Sequence, residues 1–402
     1  MAVPTPIRDD AAMFAHQELE AEAVTAADPF SDLPVTRLTA GCGHSHSLYF
    51  TSESWTRDRS QVVIARERDG ANELWACAMA GHRLARLTAI GRDSWSQPHV
   101  HNYAALCPTA DRIAFWAHGR LQSMDLADGT CRTLYEAGSD EVHGLSWTAD
   151  GANVLTCLSG ASAMGSGCST EERSRWLADP PWSRVLAVAA DGSGHRVLHQ
   201  ERWLITHVNA SPVDPDLCVF CHEGPWLEVT HRIWGLRLSG GRPWPVLERD
   251  SAWGVGHEYW LADGRTVGYH ARHRDDPWRH AAGFADVVDG TAWQAELAVP
   301  THHAVAQDRD LLILDGTRAT GGWLMAVPRE GDGWGVPRVL CAHDASRHHH
   351  RAHVHPRLAR DRSHVVFTSD RRGYSDACLV AVPTDLHALP PWPGRPRRYY
   401  WE

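Results

Sequence analysis

The chain has 402 residues, 49 acidic and 39 basic side chains and a formal net charge of -10; with no basic stripe to neutralise phosphates, it excludes nucleic acid as a partner. No run of about 18 apolar residues exists, so no membrane association is expected. Every basic side chain is arginine, which excludes a lysine base or a Schiff-base mechanism.

The N-terminus, MAVPTPIRDDAAMFAHQELEAEA, lacks the basic start and apolar stretch of a secretion signal, so a cytoplasmic location is expected. Within residues 1–34, an N-terminal extension, AAMFAHQELEAEA predicts a short helical segment. From there on, short apolar or alternating runs are separated by Gly, Asp, Pro and Ser turns, the pattern of all-β proteins.

One unit then recurs: a His-containing entry, a short apolar strand, an Asp-containing turn and further short strands. Copies begin near His44, Gln97, Val142, Thr206, Val255, Thr301 and Arg351. Seven irregular repeats over residues 35–383 predict a seven-bladed β-propeller spanning the chain as one domain. GASAMGSGCSTEERSRWLADPPWSR in the third copy and RHRDDPWRHAAGFADVVDG in the fifth read as insertions. Residues 384–402 are a Pro-rich tail expected to pack as an irregular clasp. The 10 cysteines read as reduced, buried residues.

In a propeller the innermost strands line one channel and start at one face. The entries of the copies hold His44 and His46, His99 and His101, His143, His207, His257, His302 and His303, and His350, His353 and His355. The repeat therefore predicts imidazoles around one funnel. They are densest in RHHHRAHVH. On a strand, His353 and His355 share a face because the side-chain period is two, with His350 on the entry loop. His302 from the adjacent copy completes three imidazole ligands with open positions, as a catalytic divalent metal needs. A non-catalytic propeller that binds glycan or protein is the competing class, and it has no need of same-sector ligands.

The stretches FCHEGPWLEVTHRIWGL, GVGHEYWLADG, THHAVAQDRDLLILDG and HVHPRLARDRSHVVFTSDRRG together resemble the oligogalacturonate lyase family of polysaccharide lyases. The resemblance runs from Val35 to Pro383. It implies a seven-bladed propeller that cleaves short oligogalacturonides by β-elimination. It further implies His257 as the catalytic base and Arg232 as a substrate contact near the scissile bond. His302, His353 and His355 are implied as ligands of manganese, with His350 where the family has a glutamine. The implied partner is a small uronate oligosaccharide; an ulvan-like or rhamnose–glucuronate substrate is the alternative within lyases. His207 is a candidate substrate contact. His222 is another, although His222-Glu223 also reads as an inter-blade hydrogen-bond pair. A serine-peptidase propeller is excluded, since the chain has no Gly-x-Ser-x-Gly elbow.

Overall fold

A computed structural model describes residues 14–19, 21–68, 70–91, 104–160, 178–248, 250–348 and 352–394. Seven antiparallel sheets of four or five strands follow one another along the chain as the blades of a propeller. The innermost strands, from blade one to blade seven, are Ser45–Ser47, Ala104–Leu106, Glu141–Trp147, Ile205–Ala210, Trp253–Trp260, Ala304–Val305 and Arg357–Leu358. The next strands outward include Leu217–His222 and Leu311–Leu314, in which every residue is buried. Neighbouring blades cover both faces of such strands, which is why they read as continuous rather than alternating apolar runs.

The ring closes between the two ends of the chain. Blade seven takes His364–Ser369 and Asp376–Ala381 from the C-terminal part, then Pro34–Arg37 and Val24–Ala27 from the N-terminal part. Val35 pairs with Val380 and Arg37 with Cys378. Tryptophan stitches blades together: Trp147 Nε1 donates to the Ala105 carbonyl, Trp260 Nε1 to that of Asn209 and Trp244 Nε1 to that of Val287. Much of the chain's complement of 19 tryptophans thus serves blade packing, burying a large ring while pairing its one donor.

Two sequence expectations are corrected here. The N-terminal segment is not helical where it is described: Phe14–Leu19 is a strand on the outer edge of blade one, paired with Leu84–Thr88, and Val24–Ala27 is the outermost strand of blade seven. Helix preference amounts to tenths of a kcal/mol per residue, and two open sheet edges offering unpaired backbone groups outweigh it. The expected blade-five insertion is instead regular structure, since Thr266–His273 and His280–Asp286 are the second and third strands of that blade. The strand HAAGFAD is rich in small residues and so a weak β signal, yet all seven positions are buried. Residues 161–177, most of the blade-three insertion, lie outside the described residues.

The tail behaves as expected up to residue 394: Trp392 N donates to Pro337 O, Trp392 Nε1 to Thr320 O, and Leu389 is buried against blade six. The nine described cysteines are free, seven of them buried. Among the described residues no helix is long and apolar enough to cross a membrane.

Candidate active site

Three inner strands carry a β-bulge at one equivalent place. Pairing slips between His143 and Leu145, between Thr206 and Asn209 and between Gly256 and Tyr259. The bulged residues have positive φ: 63° at Gly144, 52° at His207 and 53° at His257; His355, just before the inner strand of blade seven, has 40°. Positive φ is uncommon for residues with a Cβ, though histidine tolerates it better than most. A bulge re-aims one side chain out of the strand alternation. It is this kink that turns His207, His257 and His355 inward.

The inward side chains meet. The His257 ring centroid lies 4.0 Å from that of His303 and 5.0 Å from that of His302. His302 is 4.8 Å from His353, His353 is 5.3 Å from His355 and His355 is 4.7 Å from His303. His257, His302 and His303 each offer a nitrogen within 4.8 Å of the others. His353 and His355 come together as expected, but not through strand alternation: the regular strand starts at Arg357, and the left-handed turn at His355 aims the pair.

Asp315 anchors this cluster. It is fully buried at the end of the Leu311–Leu314 strand and accepts from the backbone N–H of His302 and of His303, from the Thr301 hydroxyl and from His303 Nδ1 at 3.2 Å. His302 Nδ1 lies 3.5 Å away and the Arg347 guanidinium 3.2 Å. The His303 contact turns Nε2 of that ring away from the acid, and this buried Nε2 has no hydrogen-bond partner among the described residues. Burial from water would raise the Asp315 carboxyl, but the Arg347 charge and the two imidazoles outweigh it and leave the group far below its usual range. Burial lowers the proton affinity of His257 well below normal, and His303 and His302 lower it further. Desolvation and like-charged neighbours both penalise the charged imidazole, so His257 is held in its neutral, basic form.

Aromatic side chains shape the walls. Phe50 contacts His303 and His257 (4.8 and 5.8 Å between ring centroids), and Tyr49 lies between His207 at 5.3 Å and His355 at 5.0 Å. Trp226 sets its edge against His257 at 4.8 Å. It reaches there because Gly254 and Gly256 have no side chains: a Cβ on Gly256 would overlap the indole.

A second network borders the cluster through Tyr49. The buried Arg232 donates to Glu223 at 3.2 and 3.4 Å and to Glu258 at 3.2 Å, and His207 lies 3.7 Å from Glu223. Burial would raise the Glu223 carboxyl; the Arg232 charge outweighs it and brings the group down to about 2.

With this geometry established, comparison with known proteins is decisive. A family model described as oligogalacturonate lyase matches residues 15–322. The chain belongs to the oligogalacturonate lyase family. It is therefore a lyase by descent. It is 24% identical over 388 residues to an oligogalacturonide lyase of Pectobacterium atrosepticum, and 22% identical over 388 residues to an oligogalacturonate lyase of Dickeya dadantii. Each match covers 90% of this chain and 96% of the relative. A solved structure of an oligogalacturonate lyase in complex with manganese shares the fold, with a TM-score of 0.82 at 22% identity, covering 93% of this chain and 100% of that one.

Of the family residues expected from sequence, the structure brings His257, His302, His353 and His355 into one cluster and puts His207 and Arg232 in the bordering network. His350 lies outside the described residues, as do His99 and His101. His222 is placed elsewhere. Alternation along its strand points it away from Cys221 and Glu223, and Nε2 lies 2.7 Å from Glu201 of blade three between Trp203 and Trp234. His222 is thus an inter-blade partner, not a funnel residue. His143 bonds Ser159 of its own blade at 2.8 Å, and His44 lies against Ser375. Among the described residues the gathered imidazoles occupy blades five to seven. Sequence reading assigned no role to Asp315, Trp226, Tyr49 or Phe50, and gave His303 only a place among the funnel imidazoles. Asp315 left one signal, an acid closing the otherwise apolar run LLILD.

Proposed function

We propose that this chain cleaves short oligogalacturonides, or related uronate oligosaccharides, by β-elimination assisted by a divalent metal, manganese, with His257 removing the C5 proton. The observation behind this reading is the convergence of His302, His353 and His355, from two blades and 53 residues of sequence, on one sector beside a neutral His257.

The residues suit the metal. The donors are imidazoles, which favour the manganese-to-zinc class, and Asp315 beside His302 and His303 is the outer partner that fixes ring orientation in such sites. His302, His353 and His355 would hold the ion, with His350 as the candidate fourth ligand. Bound there, the ion would neutralise the uronate carboxylate and so acidify the adjacent C5–H.

The chain's own residues do the rest. His257 accepts the C5 proton as the C4–O bond breaks, a C4–C5 double bond forms and the leaving oxygen gains a proton. A general base works best when it is unprotonated at working pH, and burial beside other imidazoles keeps His257 so. Trp226 and Phe50 hold its ring from two directions. Arg232 is proposed as a substrate contact. Its fork already faces Glu223, so it acts through the Arg232–Glu223–His207 network rather than as a free clamp.

The test uses purified protein, Mn²⁺ and digalacturonate. Ultraviolet absorbance should rise as the unsaturated product forms, and EDTA should abolish the rise. A panel of uronate oligosaccharides in the same assay identifies the substrate. No rise with any member would overturn the reading.

A further inference from the structure

Arg272, on the second strand of blade five, is the arginine beside the cluster that the scheme above leaves unused. Its guanidinium lies 4.8 Å from the Trp226 ring centroid, and the edge of that ring abuts His257. Arg272 is exposed, yet it is not adrift in solvent: an indole face positions it, a contact worth about 0.5–1 kcal/mol at exposed sites.

Its charge has no ion-pair partner among the described residues. Arg232 is engaged by Glu223 and Glu258, and Arg347 by Asp315 and by the carbonyls of Asp315 and Gly316. The Arg272 side chain makes no hydrogen bond or ion pair with another described residue. Asp315 is the one carboxylate acting on it, and that acid already accepts from Thr301, His302 and His303 and faces Arg347. Partial desolvation lowers the guanidinium's proton affinity, and the Arg347 charge adds to the effect. Two cations near one saturated acid, beside neutral imidazoles, leave positive charge for an external anion, and a guanidinium fork matches a carboxylate.

Position says which carboxylate. His257 touches His302 and His303 on one side and Trp226 on another. The metal-ligand candidates lie on blades six and seven; Arg272, on blade five, lies over the Trp226 ring. Resting on the lyase reading, we infer that Arg272 binds the carboxylate of the sugar next to the one deprotonated, so that the site selects uronate–uronate linkages. In an alternating chain the neighbour would be a neutral sugar such as rhamnose, and Arg272 would be left unpaired.

The experiment compares digalacturonate with its derivative methyl-esterified on the non-reacting sugar, using wild type, Arg272→Gln and Arg272→Lys. Wild type should favour the free acid in kcat/KM by about ten- to hundredfold, the worth of one charged hydrogen-bond pair. Arg272→Gln should collapse that ratio towards one, mainly through KM for the free acid, and Arg272→Lys should restore part of it. Calorimetric binding of both compounds, with base-less His257→Ala protein as the background, gives the same comparison without turnover. Retention of the acid-over-ester ratio in Arg272→Gln would overturn the inference. Absence of turnover in wild type, with the binding ratio still lost in Arg272→Gln, would instead overturn the lyase reading and leave the carboxylate site standing.

Discussion

The indole of Trp226 occupies the space where a side chain on Gly256 would be, one residue before His257. Two sequence motifs separated by some 30 positions are thereby one physical object: PW in blade four needs GVGH in blade five, and the proposed base, His257, lies against their contact.

Adding a single methyl group at Gly256 should therefore disturb both packing and catalysis. Gly256→Ala is expected to cost about 1–3 kcal/mol of stability, as overpacking does, and to lower kcat sharply. Gly333→Ala, where a Cβ meets nothing within 4 Å, should stay within about 0.5 kcal/mol of wild type. Thermal denaturation and turnover of both variants check this.

Base and ligand roles should separate cleanly. His257→Ala should lose activity and keep its manganese content, whereas His353→Ala should lose both. His303→Ala distinguishes the ligand sets, because His303 also offers a nitrogen within 4.8 Å of His257 and His302. If the ion is held by His302, His353 and His355, this variant keeps its metal. Metal analysis of the purified variants beside the absorbance assay decides it.

Asp315→Asn should weaken metal binding by about 10–100-fold, the usual effect of losing an outer partner of ligand histidines. It should also destabilise the fold, because the buried Arg347 side chain faces this acid and a buried charge without its partner is costly. A manganese titration and a denaturant melt measure the two effects separately.

Removing Arg232 would leave Glu223 and Glu258 facing each other's charge in a buried network. Arg232→Met is expected to lose about 3–5 kcal/mol of stability. Its activity must accordingly be read at a temperature where urea titration shows it folded.

The same network predicts an acid dependence. The Glu223 carboxyl is held at about 2 against an ordinary 4.5. A group with a depressed folded-state pKa contributes stability that is complete above its unfolded value and is lost as pH falls through the folded one. Wild type should lose stability from about pH 4.5 down to about pH 2, and Glu223→Gln should be less stable at neutral pH with a shallower acid decline. Urea midpoints across that range test the slope.

Much of the architecture was legible because its signals are local. Turn residues and short apolar runs mark strands wherever they occur, and repetition of the His-containing entry exposed seven copies. The helix expected near Phe14 failed because partner edges, not propensity, decide an edge strand. HAAGFAD was misread for a related reason: its small residues gain strand character only when Tyr269 packs over Gly283. His222 and His207 looked alike in sequence, yet one faces Glu201 in a seam and the other Tyr49 in the funnel. Alternation along its strand turns His222 to the seam, whereas the bulge at His207 turns that ring into the funnel.

By itself the sequence determined the β-repeat, the arginine-only basic set and a family motif naming His257, His302, His353 and His355, since strand period, turn chemistry and residue type are properties of short stretches. Only the tertiary structure decided that imidazoles of blades five to seven meet, that Asp315 orients two of them, and that Arg272 stands near His257 with no ion-pair partner among the described residues. Those relations depend on left-handed bulges and on contacts between blades, which link residues far apart in the chain and so leave no mark in any one segment.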